Sequence, residues 1–199
     1  MLLTNKKIGV GEYANNDSID SVSFSSSVRH IGARAFYKCS KLTAVSFSND
    51  SKINAIGSSA FYKTNVEYLN IPDSVKIIES SAFAFCTNLK YVYFSENSQL
   101  QVIREGAFKG CKNLIEIILP NRHVKIEKNA LNFDDDMDEE KKLQYLIEKY
   151  RNKQANKGDS LEENEGIERL KNIRVSFYSQ NYTPSDARHP RRPHWYKAV

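Results

Sequence analysis

The stretch IGARAFYKCSKLTAVSF, residues 31–47, decides the fold because its spacing returns along the chain. Ile31 precedes the pair Ala35-Phe36 by four residues, and Ile56, Ile78 and Ile103 stand at the same distance before Ala60-Phe61, Ala82-Phe83 and Ala107-Phe108. A second signature follows each pair: Leu42-Val45-Phe47, Val66-Leu69-Ile71, Leu89-Val92-Phe94 and Leu114-Ile117-Leu119. Degenerate units flank these four. Ile8, Tyr13, Asn16, Ile19, Val22 and Phe24 fill the slots of Ile31, Phe36, Cys39, Leu42, Val45 and Phe47, and Ile126 with Ala130-Leu131 opens a last unit. Successive Ile spacings are 23, 25, 22, 25 and 23 residues.

A period of this size with LxxVxF segments is the signature of a leucine-rich repeat. Alternation within LxxVxF puts two apolar residues on one side of a short strand and their neighbours on the other. Strands of successive turns then stack in parallel. The Ile and the Ala-Phe pair fall on the return segment, where Phe fills the space between turns. One turn alone cannot shield these residues from water, so each depends on its neighbours and the ends need caps. The expected architecture is an α/β solenoid of about six turns, with a parallel sheet on its concave face and a helical insertion in the last turn. Cys39, Cys86 and Cys111 share one slot, three residues after the repeat Phe, which predicts small buried residues and not a reactive or metal-binding set.

The full pattern, LxxVxFxxxSxxxIGxxAFxxCxx, resembles the BspA-like (Treponema-type) leucine-rich repeat family over residues 8–131. Departures are Glu79 and Arg104 in place of the Gly after Ile, and Thr64 in place of Cys in the third unit. The resemblance implies a non-enzymatic protein that binds host or partner proteins, often displayed on the surface of bacteria or protists.

The 199 residues divide by charge. Residues 1–133 hold 16 Lys/Arg against 11 Asp/Glu, residues 134–170 hold 7 against 12, and residues 171–199 hold 6 against 1. The expected organisation is a solenoid over 1–178, with a capping repeat at 1–30, an acidic and largely helical insertion at 134–168 and a closing strand at 169–178. A basic tail follows at 179–199. After Leu131 the strand signature resumes only at Leu170-Ile173-Val175. Within the insertion, Asp134, Asp135, Asp136 and Asp138 suit a helix start, and Leu143, Leu146, Ile147 and Tyr150 draw one apolar stripe. No run approaches the roughly 18 apolar residues a membrane helix needs, and the N-terminus lacks a signal peptide's apolar region. With three cysteines that cannot all pair, an intracellular setting is expected; a trimmed family member would stand at the cell surface.

Motifs of catalysis are absent: the chain contains no GxSxG, HExxH, P-loop or GxGxxG. No enzyme, cofactor or metal is expected, and His30 and His123 read as turn residues. Binding is the expected role, on the strand residues that alternate away from the core. These are Ser21 and Ser23, Ala44 and Ser46, Tyr68 and Asn70, Tyr91 and Tyr93, Glu116 and Ile118, then Asn172 and Arg174. A partner-binding patch is placed at Tyr68, Asn70, Tyr91, Tyr93, Glu116, Ile118 and Arg174, since clustered aromatics dominate protein interfaces. Arg188, Arg191, Arg192, Trp195 and Tyr196 of the tail form a second contact set, for protein or, in a rival reading, nucleic acid. Six strands about 4.8 Å apart and about four residues long offer on the order of 380 Å². That is under half of the roughly 800 Å² per partner of a standard interface. An adaptor or scaffold subunit therefore needs its tail or insertion as well.

Overall fold

The computed structural model describes residues 1–120, 123–131 and the backbone of 174–177. Each turn sets a four-residue strand, a loop, a two-residue strand and a return segment in sequence. The long strands are β3 (Ser21–Phe24), β5 (Ala44–Phe47), β7 (Tyr68–Ile71), β9 (Tyr91–Phe94), β11 (Glu116–Leu119) and β13 (Arg174–Phe177). The short ones are β2 (Lys7–Ile8), β4 (His30–Ile31), β6 (Ala55–Ile56), β8 (Ile77–Ile78), β10 (Val102–Ile103) and β12 (Lys125–Ile126). A further strand, β1 (Leu2–Leu3), lies beside β3 and seats Leu3 in the core next to Phe24. All pairings are parallel. Five complete turns run from β1 to β11, and β12 and β13 belong to a sixth.

The repeat phenylalanines form a file along the axis. Phe36, Phe61, Phe83 and Phe108 are wholly buried, with centroids 5.2, 5.2 and 5.4 Å apart and planes within 7° of parallel. Tyr13 extends the file by one ring, 5.2 Å from Phe36. The alanine before each Phe is buried as well, since a larger residue there would force the turns apart.

The α half of the expected α/β architecture is not found: among the described residues the returns are successive tight turns and contain no helix. Two left-handed residues per turn interrupt any helical run. One is the third residue after the Ile (Gly11, Arg34, Ser59, Ser81, Gly106, Asn129), the other the second after the ring (Asn15, Lys38, Lys63, Phe85, Gly110), all with φ between 55° and 70°. Backbone N–H groups consequently alternate in direction. Ala35, Tyr37 and Cys39 donate within the turn, to Gly32, Arg34 and Phe36, while Arg34, Phe36 and Lys38 donate to Ser58, Ala60 and Tyr62 of the next turn. Every other amide thus ties neighbouring turns together, which satisfies the return backbone without helix or sheet. The 23-to-25 variation in repeat length sits elsewhere, in the loops 48–54 and 95–101, two residues longer than their counterparts 25–29 and 72–76.

The long strands do not form one sheet. β1-β3-β5 and β7-β9-β11-β13 are separate ladders, whereas the six short strands run unbroken from β2 to β12. The break falls where the third unit is one residue short, Thr64 to Val66 against Cys39 to Leu42. The seam is spanned by Asn65 N–H to Leu42 O (3.0 Å), Glu67 N–H to Thr43 O (3.3 Å) and the Asn65 amide to Ser40 O (2.6 Å). Val45 and Phe47 on its β5 side are half-buried, while their counterparts on β7 and β9 are buried.

The slot after the Ile explains two departures from the repeat. A Cβ at Gly57 would meet the backbone of Gly32 and Ile31 at 2.6 Å, and one at Gly32 would meet Gly9 at 2.7 Å, so side chains are excluded there. In later turns the same slot holds Glu79, Arg104 and Glu127, which form a charge ladder. Arg104 Nε lies 3.2 Å from Glu79 Oε2, an ion pair by distance without hydrogen-bond geometry, and its Nη1 lies 3.5 Å from Glu127 Oε1.

The expected insertion at 134–168 and tail at 179–199 lie outside the described residues. β13 corrects the register of the closing strand. Ile117 pairs with Val175 and Leu119 with Phe177, two residues later than the Leu170-Ile173-Val175 signature implies. The residues in register with Glu116 and Ile118 are therefore Arg174 and Ser176, in place of Asn172 and Arg174.

Candidate protein-interaction surface

Three strands carry the candidate patch. Register places Tyr68 beside Tyr91 and Asn70 beside Tyr93, then Tyr91 beside Glu116 and Tyr93 beside Ile118. The alternation that buries Leu69, Val92 and Ile117 turns these residues outward. Tyr68 and Tyr91 stack at 5.6 Å with planes 5° apart, and Tyr91 and Tyr93 continue the array at 6.0 Å, also 5° apart. All three rings and Ile118 are half-buried, and Asn70 is exposed. Glu116 sits on this face by register yet is only 5% exposed, so its carboxylate belongs to the floor of the patch. Arg174 follows on β13 beside Glu116. Arg188, Arg191, Arg192, Trp195 and Tyr196 lie outside the described residues, so the structure does not bring tail and patch together.

Two charged residues border the rings and were not among the expected contacts. Lys90 Nζ lies 3.1 Å from Glu67 Oε2 and 5.9 Å from the Tyr68 centroid. The hydrogen bond it donates to Glu67, with the attraction of that carboxylate, holds the ammonium's pKa above its ordinary value. The sequence signal was available: opposite charges occupy one slot in adjacent units, directly before each long strand. Across the seam the surface changes character. β3 and β5 present Ser21, Ser23, Ala44 and Ser46, with Ser23 and Ser46 hydroxyls 2.8 Å apart.

The cysteine slot is structural. Cys39, Cys86 and Cys111 are free and wholly buried, and their thiols donate to the carbonyls of Tyr13, Phe61 and Phe83 at 3.0, 3.1 and 3.2 Å. Burial raises all three pKa values, Cys86 to about 11, so none is a thiolate near neutral pH. In the third unit Thr64 fills the slot and donates to Phe61 O at 3.0 Å, which shows that the position asks for a small side chain with one donor. His30 and His123 are exposed, at the edge of β4 and ahead of β12. Among the described residues no helix is long and apolar enough to cross a membrane.

The repeat geometry agrees with a family model, the BspA type leucine-rich repeat region, that matches residues 6–137 in six copies. The chain belongs to the BspA-type leucine-rich repeat family. Solved structures with the same fold include the pneumococcal vaccine antigen PcpA, at 23% identity and a TM-score of 0.57, over 64% of this chain and 33% of that one. A leucine rich cell surface protein from Faecalibacterium prausnitzii is 25% identical at a TM-score of 0.53, over 69% of this chain and 35% of the other. The T. pallidum leucine rich repeat protein TpLRR is 22% identical at 0.55, over 77% of this chain and 78% of its own. The chain thus spans about a third of the first two. No curated protein sequence matches it. BspA-type repeats are generally non-catalytic, and a protein-interaction module is the role their architecture makes plausible.

Proposed function

We propose that this protein is a non-catalytic adaptor or scaffold subunit that captures a protein partner on its long-strand face, centred on Tyr68, Tyr91 and Tyr93. The observation that carries this reading is the half-buried tyrosine array on β7 and β9, bordered by the Lys90–Glu67 pair. Rigid stacked rings offer apolar contact at low entropic cost, and tyrosine joins an apolar body to a polar tip. Strands β7, β9 and β11 alone present about 190 Å², by strand spacing and length, far below a standard interface. In this reading Arg174, the segment 134–168 and the tail residues Arg188, Arg191, Arg192, Trp195 and Tyr196 enlarge the contact.

The test is quantitative affinity capture with Tyr91→Ala/Tyr93→Ala against Ser23→Ala/Ser46→Ala, both checked for melting temperature. Loss of a specific partner only in the tyrosine variant supports the reading. Unchanged capture with a lowered melting temperature would assign the rings to sheet stability. A second reading, a surface adhesin segment, is favoured by the likeness to the F. prausnitzii cell surface protein. Protease shaving of intact cells separates the two readings, because only an adhesin is released.

A further inference from the structure

The return side of the solenoid carries cations without carboxylate partners. Residues 32–41 and 57–65, the returns of two adjacent turns, contain Arg34, Lys38, Lys41 and Lys63 and no Asp or Glu, and of these Lys41 alone feels a carboxylate, Asp17 of the preceding turn. Three of these heads are held against rings. Arg34 Cζ and Lys38 Nζ lie 5.7 and 5.3 Å from the Tyr37 centroid, and Lys63 Nζ lies 5.7 Å from Tyr62 and 5.8 Å from Phe85. Those rings form an outer ladder beside the buried file. Tyr37 stacks on Tyr62 at 4.9 Å, Tyr62 meets Phe85 edge-on at 5.5 Å, and Phe85 lies over Gly110, where a Cβ would come within 2.6 Å of the ring. Among the described residues the ion pairs involve Lys90, Arg104 and Lys125, and none reaches Arg34, Lys38 or Lys63.

The three cations also stand at left-handed positions, with φ of 57°, 56° and 55°. Equivalent slots in other turns hold Gly11, Asn15, Gly106, Gly110 and Asn129, residues that adopt this conformation readily, and also Ser59, Ser81 and Phe85. Long charged side chains thus stand at slots that other turns fill with glycine, asparagine, serine or phenylalanine. A cation held on a ring face retains its N–H donors for an anion.

We propose that this return face docks an acidic protein segment. Its carboxylates accept hydrogen bonds from Arg34, Lys38 and Lys63, and its aliphatic side chains lie along Tyr37, Tyr62 and Phe85. Stacking of a nucleobase or a sugar ring needs an open aromatic face. Here the faces are engaged by neighbouring rings and by the cations themselves, so a partner without rings to stack fits best. This docking does not depend on the long-strand patch, which lies on another side of each turn.

Fluorescence anisotropy with a short labelled Glu/Leu-rich peptide tests the proposal on the full chain. The variant Arg34→Asn/Lys38→Asn/Lys63→Asn keeps residues that tolerate left-handed backbone, and its melting temperature confirms the fold. Binding should weaken at least about tenfold in this variant and fall with salt. It should hold in Lys6→Gln/Lys52→Gln/Lys76→Gln, which removes equal charge elsewhere, in the Arg188→Gln/Arg191→Gln/Arg192→Gln tail variant, and in Tyr91→Ala/Tyr93→Ala. Equal weakening in the first two variants, loss confined to the tail variant, no binding of the peptide, or preference for a heparin oligosaccharide or oligothymidine would each overturn it.

Discussion

Removing one ring from the centre of the buried file tests the fold most directly. Phe83 is fully buried between Phe61 at 5.2 Å and Phe108 at 5.4 Å, so Phe83→Ala removes a side chain that touches both neighbouring turns. Core Phe-to-Ala losses are about 3–5 kcal/mol, and two ring contacts of roughly 0.5–1.5 kcal/mol each place this site near the top, at about 5 kcal/mol. Tyr13 supplies the contrast. It stands at the end of the file, half-buried, with one stacked neighbour 5.2 Å away, so Tyr13→Ala should cost about 1–2 kcal/mol. Equilibrium urea unfolding followed by far-UV circular dichroism measures both. An unchanged denaturant slope would mean the array still unfolds as one unit, and a smaller slope for Phe83→Ala would mean that it splits at the vacant turn. Equal losses at the two sites, or less than about 1.5 kcal/mol at Phe83, would refute the idea that each turn's stability resides in its neighbours.

Four further outcomes follow from particular contacts. Maleimide should label Cys39, Cys86 and Cys111 only as fast as the fold opens, and complete rapid labelling of native protein would contradict their burial. Because burial raises the Cys86 pKa from 9.0 to about 11, the folded state holds a proton that the unfolded state releases. That stabilisation is intact below pH about 9 and is lost toward pH about 11, by at most about 1.4 kcal/mol per pH unit, so Cys86→Ser should flatten the alkaline limb of a melting-temperature profile. Gly57→Ala would push a Cβ to 2.6 Å from the backbone of the preceding turn and should cost about 1–3 kcal/mol by urea unfolding, where Glu79→Ala, in the same slot of the next turn, costs less. Hydrogen exchange should find the amides of β7 less protected than those of β9, and equal protection would argue that the two ladders act as one sheet.

What the sequence disclosed depended on whether a feature repeats. The phenylalanine file, the cysteine slot and the outward tyrosines recur at a fixed offset, so period alone located them. The return conformation was hidden because left-handed backbone is signalled by Gly or Asn, and most of its slots hold Arg34, Lys38, Ser59, Lys63, Ser81 or Phe85 instead. The seam between β5 and β7 left a one-residue gap in the alignment, but a gap does not say whether a corner tightens or a ladder breaks. A strand's period of two likewise conceals a shift of two, which is how Val175 took the slot expected of Ile173. Glu116 met a different limit: register gives the direction of a side chain, and strands on both sides decide its exposure.

The same construction explains why two faces of so small a body can differ so sharply. Amides that alternate between local and axial bonds hold the return backbone without help from its side chains, and the buried file holds the turns without help from the strand surface. Side chains outside the buried core and these backbone bonds bear little of the fold. The outward slots can then carry tyrosines on β7 and β9, cations on the returns at Arg34, Lys38 and Lys63, and serines on β3 and β5. A substitution at such a slot should change binding far more than melting temperature, while one in the file should do the reverse. That opposition separates contact residues from scaffold residues in this chain before any partner is identified.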